Sequence, residues 1–148
     1  MSFTRLAYHI AFATKDRLPL LKDELLPRVC AYVGGILRTK GAALLAANGA
    51  PDHLHILATA PASLAPADLV RLVKTNSSRW IHETFPRRRA FAWQEGYAAF
   101  SVSASVIPKV TAYIDSQHEH HASHDFKEEL TALLRRHGID YDEAHLWG

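Results

Sequence analysis

Cysteine is almost missing from this 148-residue chain. Cys30 stands alone, so no internal disulfide can form and no cysteine-built zinc site can be assembled. Its neighbours Val29, Ala31 and Val33 read it as a buried, inert thiol in a reducing compartment. Long apolar runs are missing too. No stretch approaches the ~20 apolar residues that span a bilayer, and the opening MSFTRLAYHI lacks the apolar run of a signal peptide. A cytoplasmic protein is the expectation. There is no repeat and no low-complexity tract, and the 48% hydrophobic and 22% charged fractions exclude a disordered or collagen-like chain. One domain of roughly 100–200 residues accounts for the length, so residues 1–148 are expected to form a single domain.

Net charge is small, +2, but it is unevenly placed. Residues 71–89 hold Arg71, Lys74, Arg79, Arg87, Arg88 and Arg89 against Glu83 alone, leaving 11 basic against 14 acidic residues elsewhere. Concentrated positive charge suits a phosphate-binding surface, and a solvated helix face is the bland alternative. The stretch from Asn76 to Tyr97 also interleaves Trp80, Phe85, Phe91, Trp93 and Tyr97 with those arginines. Single-stranded nucleic acid is bound by such a mixture, with cations for phosphates and flat faces for unstacked bases.

Periodicity supplies the elements. Leu6, Tyr8, Ile10 and Phe12 alternate as one face of a strand over 6–13. A helix opens near 22–24, carries Leu26, Val29, Cys30, Val33 and Leu37 at helical spacing, and ends at Gly41. Apolar runs at 42–48 and 53–59 flank the turn signal Gly49-Ala50-Pro51-Asp52 and read as a hairpin. A second helix runs from Pro66 to the break at Pro86, with a bend expected at Asn76-Ser77-Ser78, and a strand follows at 97–106. Pro108 starts a third helix reaching about His121. Asp125 and Glu128 make a capping-box-like start for a fourth, which Gly138 ends. The predicted class is therefore α+β: a ferredoxin-like antiparallel sheet with helices on one face, plus an appended C-terminal helical segment.

Two constellations could carry chemistry. His53-Leu54-His55 lies on the second hairpin strand, where residues i and i+2 point to the same side, so two imidazoles project together. They can share a metal, or simply form a polar strand face in a chain with ten histidines. Tyr113 and Gln117 fall four residues apart on a helix and share a face. That pair is equally compatible with a packed tyrosine beside a solvated glutamine. The run Gln117-His118-Glu119-His120-His121 also invites a metal reading.

Taken together, these residues resemble the single-tyrosine HUH transposases of small insertion sequences of the IS200 type. That family carries His-hydrophobic-His on a central strand and a later helix with Tyr and, one turn on, Gln. Here these are His53-Leu54-His55, Tyr113 and Gln117. The flanking YHIAFATKDR, LVKTNSSRW, WQEGYAAFSVS and HGIDYDEAHLWG agree, so the resemblance runs from Tyr8 to Gly148. It implies an enzyme in which Tyr113 attacks a phosphodiester of single-stranded DNA, giving a 5′-phosphotyrosine link and a free 3′-OH. A phenol, with pKa near ~10, is a better leaving group than a deoxyribose alcohol and keeps the exchange close to reversible. The resemblance also implies a divalent metal, Mg²⁺ or Mn²⁺, held by His53, His55 and Gln117. It further implies recognition of hairpins at element ends, and a homodimer in which the tyrosine helix acts in trans. Lys74, Arg79, Arg87, Arg88 and Arg89 are the candidate DNA contacts.

Two other readings remain open at this level. One is a catalytically silent hairpin-binding protein. The other is a metal hydrolase built from His53, His55 and His120 or His121, which needs a carboxylate base, with Asp52 and Glu119 nearest in sequence.

Overall fold

In the computed structural model, which describes residues 1–120 and 124–147, four antiparallel strands form one sheet. They are β1 (Leu6–Ala13), β2 (Ala43–Ala50), β3 (His53–Ala60) and β4 (Ala98–Val102), in the spatial order β2-β3-β1-β4. Helices α1 (Leu25–Arg38) and α2 (Pro66–Thr84) make the two crossovers, so the sequence-predicted ferredoxin-like plan is the observed one. Beyond β4 follow α3 (Ile107–Asp115), the short α4 (Gln117–His120) and α5 (Phe126–Arg136). Among the described residues no helix is long and apolar enough to cross a membrane.

Strand alternation divides the sheet into two unlike faces. Ile10 and Phe12 of β1 and Leu54, Ile56 and Ala58 of β3 are buried with Val29, Val33 and Leu37 of α1 and Leu69, Val73 and Ile81 of α2. This is the main core. The opposite face presents Ala7, Ala11, Ala13, Leu57, Phe100 and Val102, and the appended helices cover it through Ile114 of α3 and Phe126, Leu130, Leu133 and Leu134 of α5. Three of those strand residues are alanines, which lets polar side chains fit beneath a helix. The chain after α5 turns back to hold it: Trp147 packs near Phe126, its carbonyl accepts from Gln94 Nε2 at 3.2 Å, and Arg17 lies 4.2 Å over its ring.

Local details depart from the periodicity where hydrogen bonding decides. The hairpin turn is tighter than the four-residue signal suggests, because Gly49 and Ala50 pair with Leu54 and His53 and leave only Pro51-Asp52 as the turn. Helix α2 is continuous through 76–78: Asn76 Nδ2 donates back to the Leu72 carbonyl, and Ser77 accepts from Trp93 Nε1 at 3.0 Å. Strand β4 stops at Val102, and a 3-10 turn at Ala104–Val106 leads into α3. The third helix ends at Asp115 instead of running on to His121, so Gln117 begins a new turn. The Asp125 cap is as read, its Oδ1 accepting from Glu128 N at 2.9 Å. Gly138 takes the left-handed conformation that ends the helix.

Gly49 is needed where it sits. It is buried opposite Leu54, and a Cβ there would overlap the His53 carbonyl oxygen, which is backbone and cannot swing aside. Gly49→Ala should therefore cost about 1–3 kcal/mol or more, as overpacking does, and should displace His53. Urea unfolding together with the His53 ring shifts checks this, and wild-type stability with unmoved shifts would contradict it.

Candidate metal and tyrosine site

His53 and His55 project from β3 on the alanine-rich face, opposite Ala13 and Ala11 of β1. The sequence reading has this strand expose its histidines. Both are fully buried instead, because α3 and α5 lie over them. Phe126 of α5 stacks on the His53 ring at 4.1 Å between centroids. The two Nε2 atoms converge on Oε1 of Glu129, at 3.3 Å from His53 and 2.9 Å from His55. Glu129 Oε2 accepts the Tyr113 hydroxyl hydrogen and a 2.9 Å bond from Gln117 Nε2, while Gln117 Oε1 lies 3.2 Å from His53 Nε2. One buried carboxylate thus joins four side chains from β3, α3 and α4.

The structure therefore brings together all four residues singled out from the sequence: His53, His55, Tyr113 and Gln117. It does so within one chain, where the resemblance implies a tyrosine supplied by a partner. The Tyr113 ring lies 5.9 Å from that of its own His55. Two site residues were not legible in the motif. Glu129 left one signal, a charged residue in the apolar stripe Phe126, Leu130, Leu133, Leu134, where an unpaired charge would be costly. His9 left none, since only the strand register places it beside His55, with Nε2 at 2.8 Å from His55 Nδ1. The carboxylate that the hydrolase reading needs is likewise Glu129. Asp52 is engaged with His53 Nδ1 at 2.8 Å, and Glu119 is exposed. His121 lies outside the described residues, as does the His120 side chain.

Electrostatics follow from burial and pairing. Burial is the largest influence on Glu129 and favours its neutral form, but hydrogen bonds from His53, His55 and Tyr113 outweigh it and hold the carboxyl far below the usual carboxylate range. Burial by itself lowers His53, yet the Asp52 and Glu129 carboxylates raise it above the ordinary imidazole value. His9 is pushed down to about 3 by burial and then by His55. Burial, then the Glu129 hydrogen bond and charge, push the Tyr113 phenol up, so the resting hydroxyl is protonated.

These residues fit a divalent cation. His53 Nε2, His55 Nε2 and a Glu129 oxygen lie within 4.8 Å of one another. Adjacent corners of an octahedron with ~2.1 Å bonds stand about 3.0 Å apart, close to the spacing seen here. Each histidine has its other ring nitrogen engaged, by Asp52 and by His9, which sets the ring plane as metal sites require. Imidazole nitrogens with a carboxylate oxygen suit Mn²⁺, and the oxygens suit Mg²⁺. Gln117 stands beside the same atoms, so its amide oxygen is a further donor within reach.

The basic segment divides. Arg79, Arg87 and Arg89 are exposed, and Arg88 is half-buried with its guanidinium near the Leu20 and Lys22 carbonyls. Lys74 is corrected. Its ammonium donates to the carbonyls of Gln94, Glu95 and Gly96 at 2.7, 3.1 and 2.7 Å, which uses all three of its hydrogens and leaves none for a phosphate. Phe91 and Trp93 are core residues packed edge-on with each other, and Trp93 also packs edge-on against Phe12, whereas Trp80 stacks on Tyr32 at 4.3 Å near the surface. The segment passes the histidine end of the sheet: Trp93 bridges to Thr14, whose amide bonds the Asp52 carbonyl.

Residues 2–117 match the family described as "Transposase IS200 like". The ISDra2 transposase TnpA of Deinococcus radiodurans is 26% identical over 120 residues, covering 78% of this chain and 86% of that protein. The transposase for insertion sequence element IS200 of Salmonella typhimurium is 29% identical over 118 residues, 76% of each chain. Among solved structures, a putative transposase from Deinococcus radiodurans superposes with a TM-score of 0.63 at 27% identity, covering 78% of this chain and 93% of that one. A REP-associated tyrosine transposase bound to a REP hairpin shares the fold, with a TM-score of 0.58 at 16% identity over 82% of this chain and 74% of that one.

The acid response of the site can be stated with its sign. The folded-state pKa of Glu129 is depressed, so its contribution is present above the unfolded value of 4.5 and is lost as pH falls below it. His9 acts in the same direction between pH 6.5 and about 3. In metal-free protein, Glu129→Gln should flatten the fall of unfolding free energy below pH 4.5. The slope should drop by up to ~1.4 kcal/mol per pH unit, the value of one proton. Equal slopes in variant and wild type would contradict the charged, four-donor carboxylate.

Proposed function

Because this chain belongs to the IS200-like transposase family, we propose that residues 1–148 act as one catalytic unit that cleaves and rejoins single-stranded DNA through Tyr113. The observation that carries this reading is the meeting of the Tyr113 hydroxyl with His53, His55 and Gln117 at a single buried carboxylate. A nucleophile and a cation site this close can act on one phosphate.

Tyr113 Oη attacks the phosphorus, and the bond to the 3′-oxygen breaks. The DNA is left joined to Tyr113 through its 5′-phosphate and ends in a free 3′-OH. Glu129 Oε2, which already accepts the hydroxyl hydrogen, is the nearest acceptor for the phenolic proton, and the leaving 3′-oxygen takes up a proton. A later 3′-OH reverses the step, so no external energy source is consumed. His53, His55 and Glu129, with Gln117 as a further oxygen donor, would hold Mg²⁺ or Mn²⁺. Such an ion supplies charge stabilisation at the phosphate oxygens. DNA approaches through the cleft of about 300 Å³ lined by Tyr113, His124, Glu129 and Arg136, the last offering a guanidinium to the phosphate. A cytoplasmic location is proposed with this reading, and hairpins at element ends are the proposed recognition feature.

A hairpin-bearing single strand incubated with Mn²⁺ and run on a denaturing gel tests the chemistry. Wild type should give a covalent adduct, and Tyr113→Phe should abolish it while DNA still binds. Adduct formation by Tyr113→Phe would move the nucleophile to another residue, binding without any cleavage would favour the silent binder, and multiple-turnover hydrolysis without adduct would favour the hydrolase.

Arg79, Arg87 and Arg89 are proposed to contact phosphates, since they are the exposed arginines of the basic stretch. Replacing all three with Ala should flatten the plot of log K against log salt by up to ~0.7 for each phosphate that is no longer neutralised. An unchanged slope would make the cluster a solvated face.

A homodimer is the proposed assembly. The placement of Tyr113 against its own histidines supports a tyrosine acting in cis, the reverse of what the resemblance implies. Mixing Tyr113→Phe with His53→Ala/His55→Ala protein, with subunit exchange shown independently, should then restore no cleavage. Recovery of about a quarter of wild-type activity, one good site in each mixed dimer of a two-fold assembly, would establish action in trans.

A further inference from the structure

We propose that His9 is the positioning residue of His55, a hydrogen-bond partner that can serve either tautomer and so lets His55 present the Nε2 lone pair to a bound cation; this rests on the metal reading above. His9 is a buried polar residue on β1, on the same face as the site and diagonal to His55 across the β1–β3 pair. Its Nε2 is 2.8 Å from His55 Nδ1, and its ring lies 6.0 Å from Tyr113 and 5.9 Å from Phe100, both edge-on. Phe100 and Tyr113 therefore fix the plane from which it addresses His55.

The two histidines of the site are backed differently. Asp52 can only accept from His53 Nδ1, so it enforces one tautomer. His9 is an imidazole, and the same nitrogen can donate or accept. Without a cation, His55 Nε2 donates to Glu129 Oε1 at 2.9 Å, so its Nδ1 must accept, and His9 Nε2 donates. With a cation on the His55 Nε2 lone pair, Nδ1 must carry the hydrogen, and His9 Nε2 must accept it. The hydrogen passes along the existing bond from His9 to His55. The hydrogen formerly on His55 Nε2 leaves, and His9 Nδ1 takes one up, so the two rings keep the same number. A phenyl ring at position 9 could fill the space but play neither role, whereas a glutamine amide could play both by turning over.

The test measures Mn²⁺ affinity in wild type, His55→Ala, His9→Phe and His9→Gln, and ring-nitrogen protonation in wild type by long-range ¹H–¹⁵N spectra. The spectra are taken metal-free and with Zn²⁺ as a diamagnetic probe. His9→Phe should bind Mn²⁺ on the order of 10–100-fold more weakly, the usual cost of losing the partner behind a ligating histidine. His9→Gln should stay close to wild type. Metal-free protein should carry the hydrogen on Nε2 of both rings, and Zn²⁺-loaded protein on Nδ1 of both. Wild-type affinity in His9→Phe, with binding lost in His55→Ala, would overturn the proposal and leave the metal reading standing. Undiminished binding by His55→Ala would overturn both. If His9→Phe does not fold, the wild-type spectra decide, and a hydrogen retained on His9 Nε2 in the loaded protein rules the proposal out.

Discussion

Everything on the second face of the sheet depends on one buried carboxylate. Glu129 sits beneath α5 and is almost inaccessible, where an unpaired charge would cost several kcal/mol. It is tolerable because His53, His55, Tyr113 and Gln117 all turn polar atoms toward it. Without Glu129 these groups would lose their charged acceptor, at about 1–3 kcal/mol for each donor left unsatisfied, although Gln117 Oε1 would still lie beside His53 Nε2. The cluster is therefore all-or-none. It adds to the apolar contacts of Phe126 and Leu130 in docking α5, and it brings the Tyr113 hydroxyl to the carboxylate that the histidines share.

The same arrangement explains the division of labour between the two faces. The face under α1 and α2 is built of Ile10, Phe12, Leu54 and Ile56, and buries apolar area in the ordinary way. Across the sheet, Ala7, Ala11 and Ala13 keep the surface low enough for imidazoles to stand between strand and helix. Gly49 lets β2 approach the His53 backbone closely, and the Thr14–Asp52 contact ties the end of β1 to the residue that holds His53 Nδ1. The framework is rigid on the side that bears the histidines. The tyrosine arrives on a separate helix, joined by the short 103–106 connection, and is fixed only by what it touches.

Lys74 shows what composition leaves undetermined about a single residue. A lysine in a stretch rich in arginine reads as a phosphate contact, yet three carbonyls of the 94–96 loop consume its hydrogens. Arg79, Arg87 and Arg89 are exposed at the surface, Arg79 with one 3.4 Å bond to Asn76 Oδ1. Local charge density locates a region, and hydrogen-bond accounting decides which members of it are available.

The sequence by itself determined the order of elements, the ferredoxin-like sheet, the strand that carries His53 and His55 and the helix that carries Tyr113. These follow from short-range rules: alternation on strands, helical spacing, the Asp125 cap, and Gly138 at a helix end. Gln117 was found by its place in the motif, although α3 ends at Asp115 and the glutamine opens a new turn. Tertiary structure alone decided that the histidine face is closed and not solvent-exposed, that Glu129 is its centre, that His9 stands behind His55, and that Tyr113 meets the histidines of its own chain. Each of these is a contact between residues 16 to 76 positions apart. Such contacts depend on strand register and on which face a helix docks against, and a one-residue slip in register would turn the strand histidines to the other side.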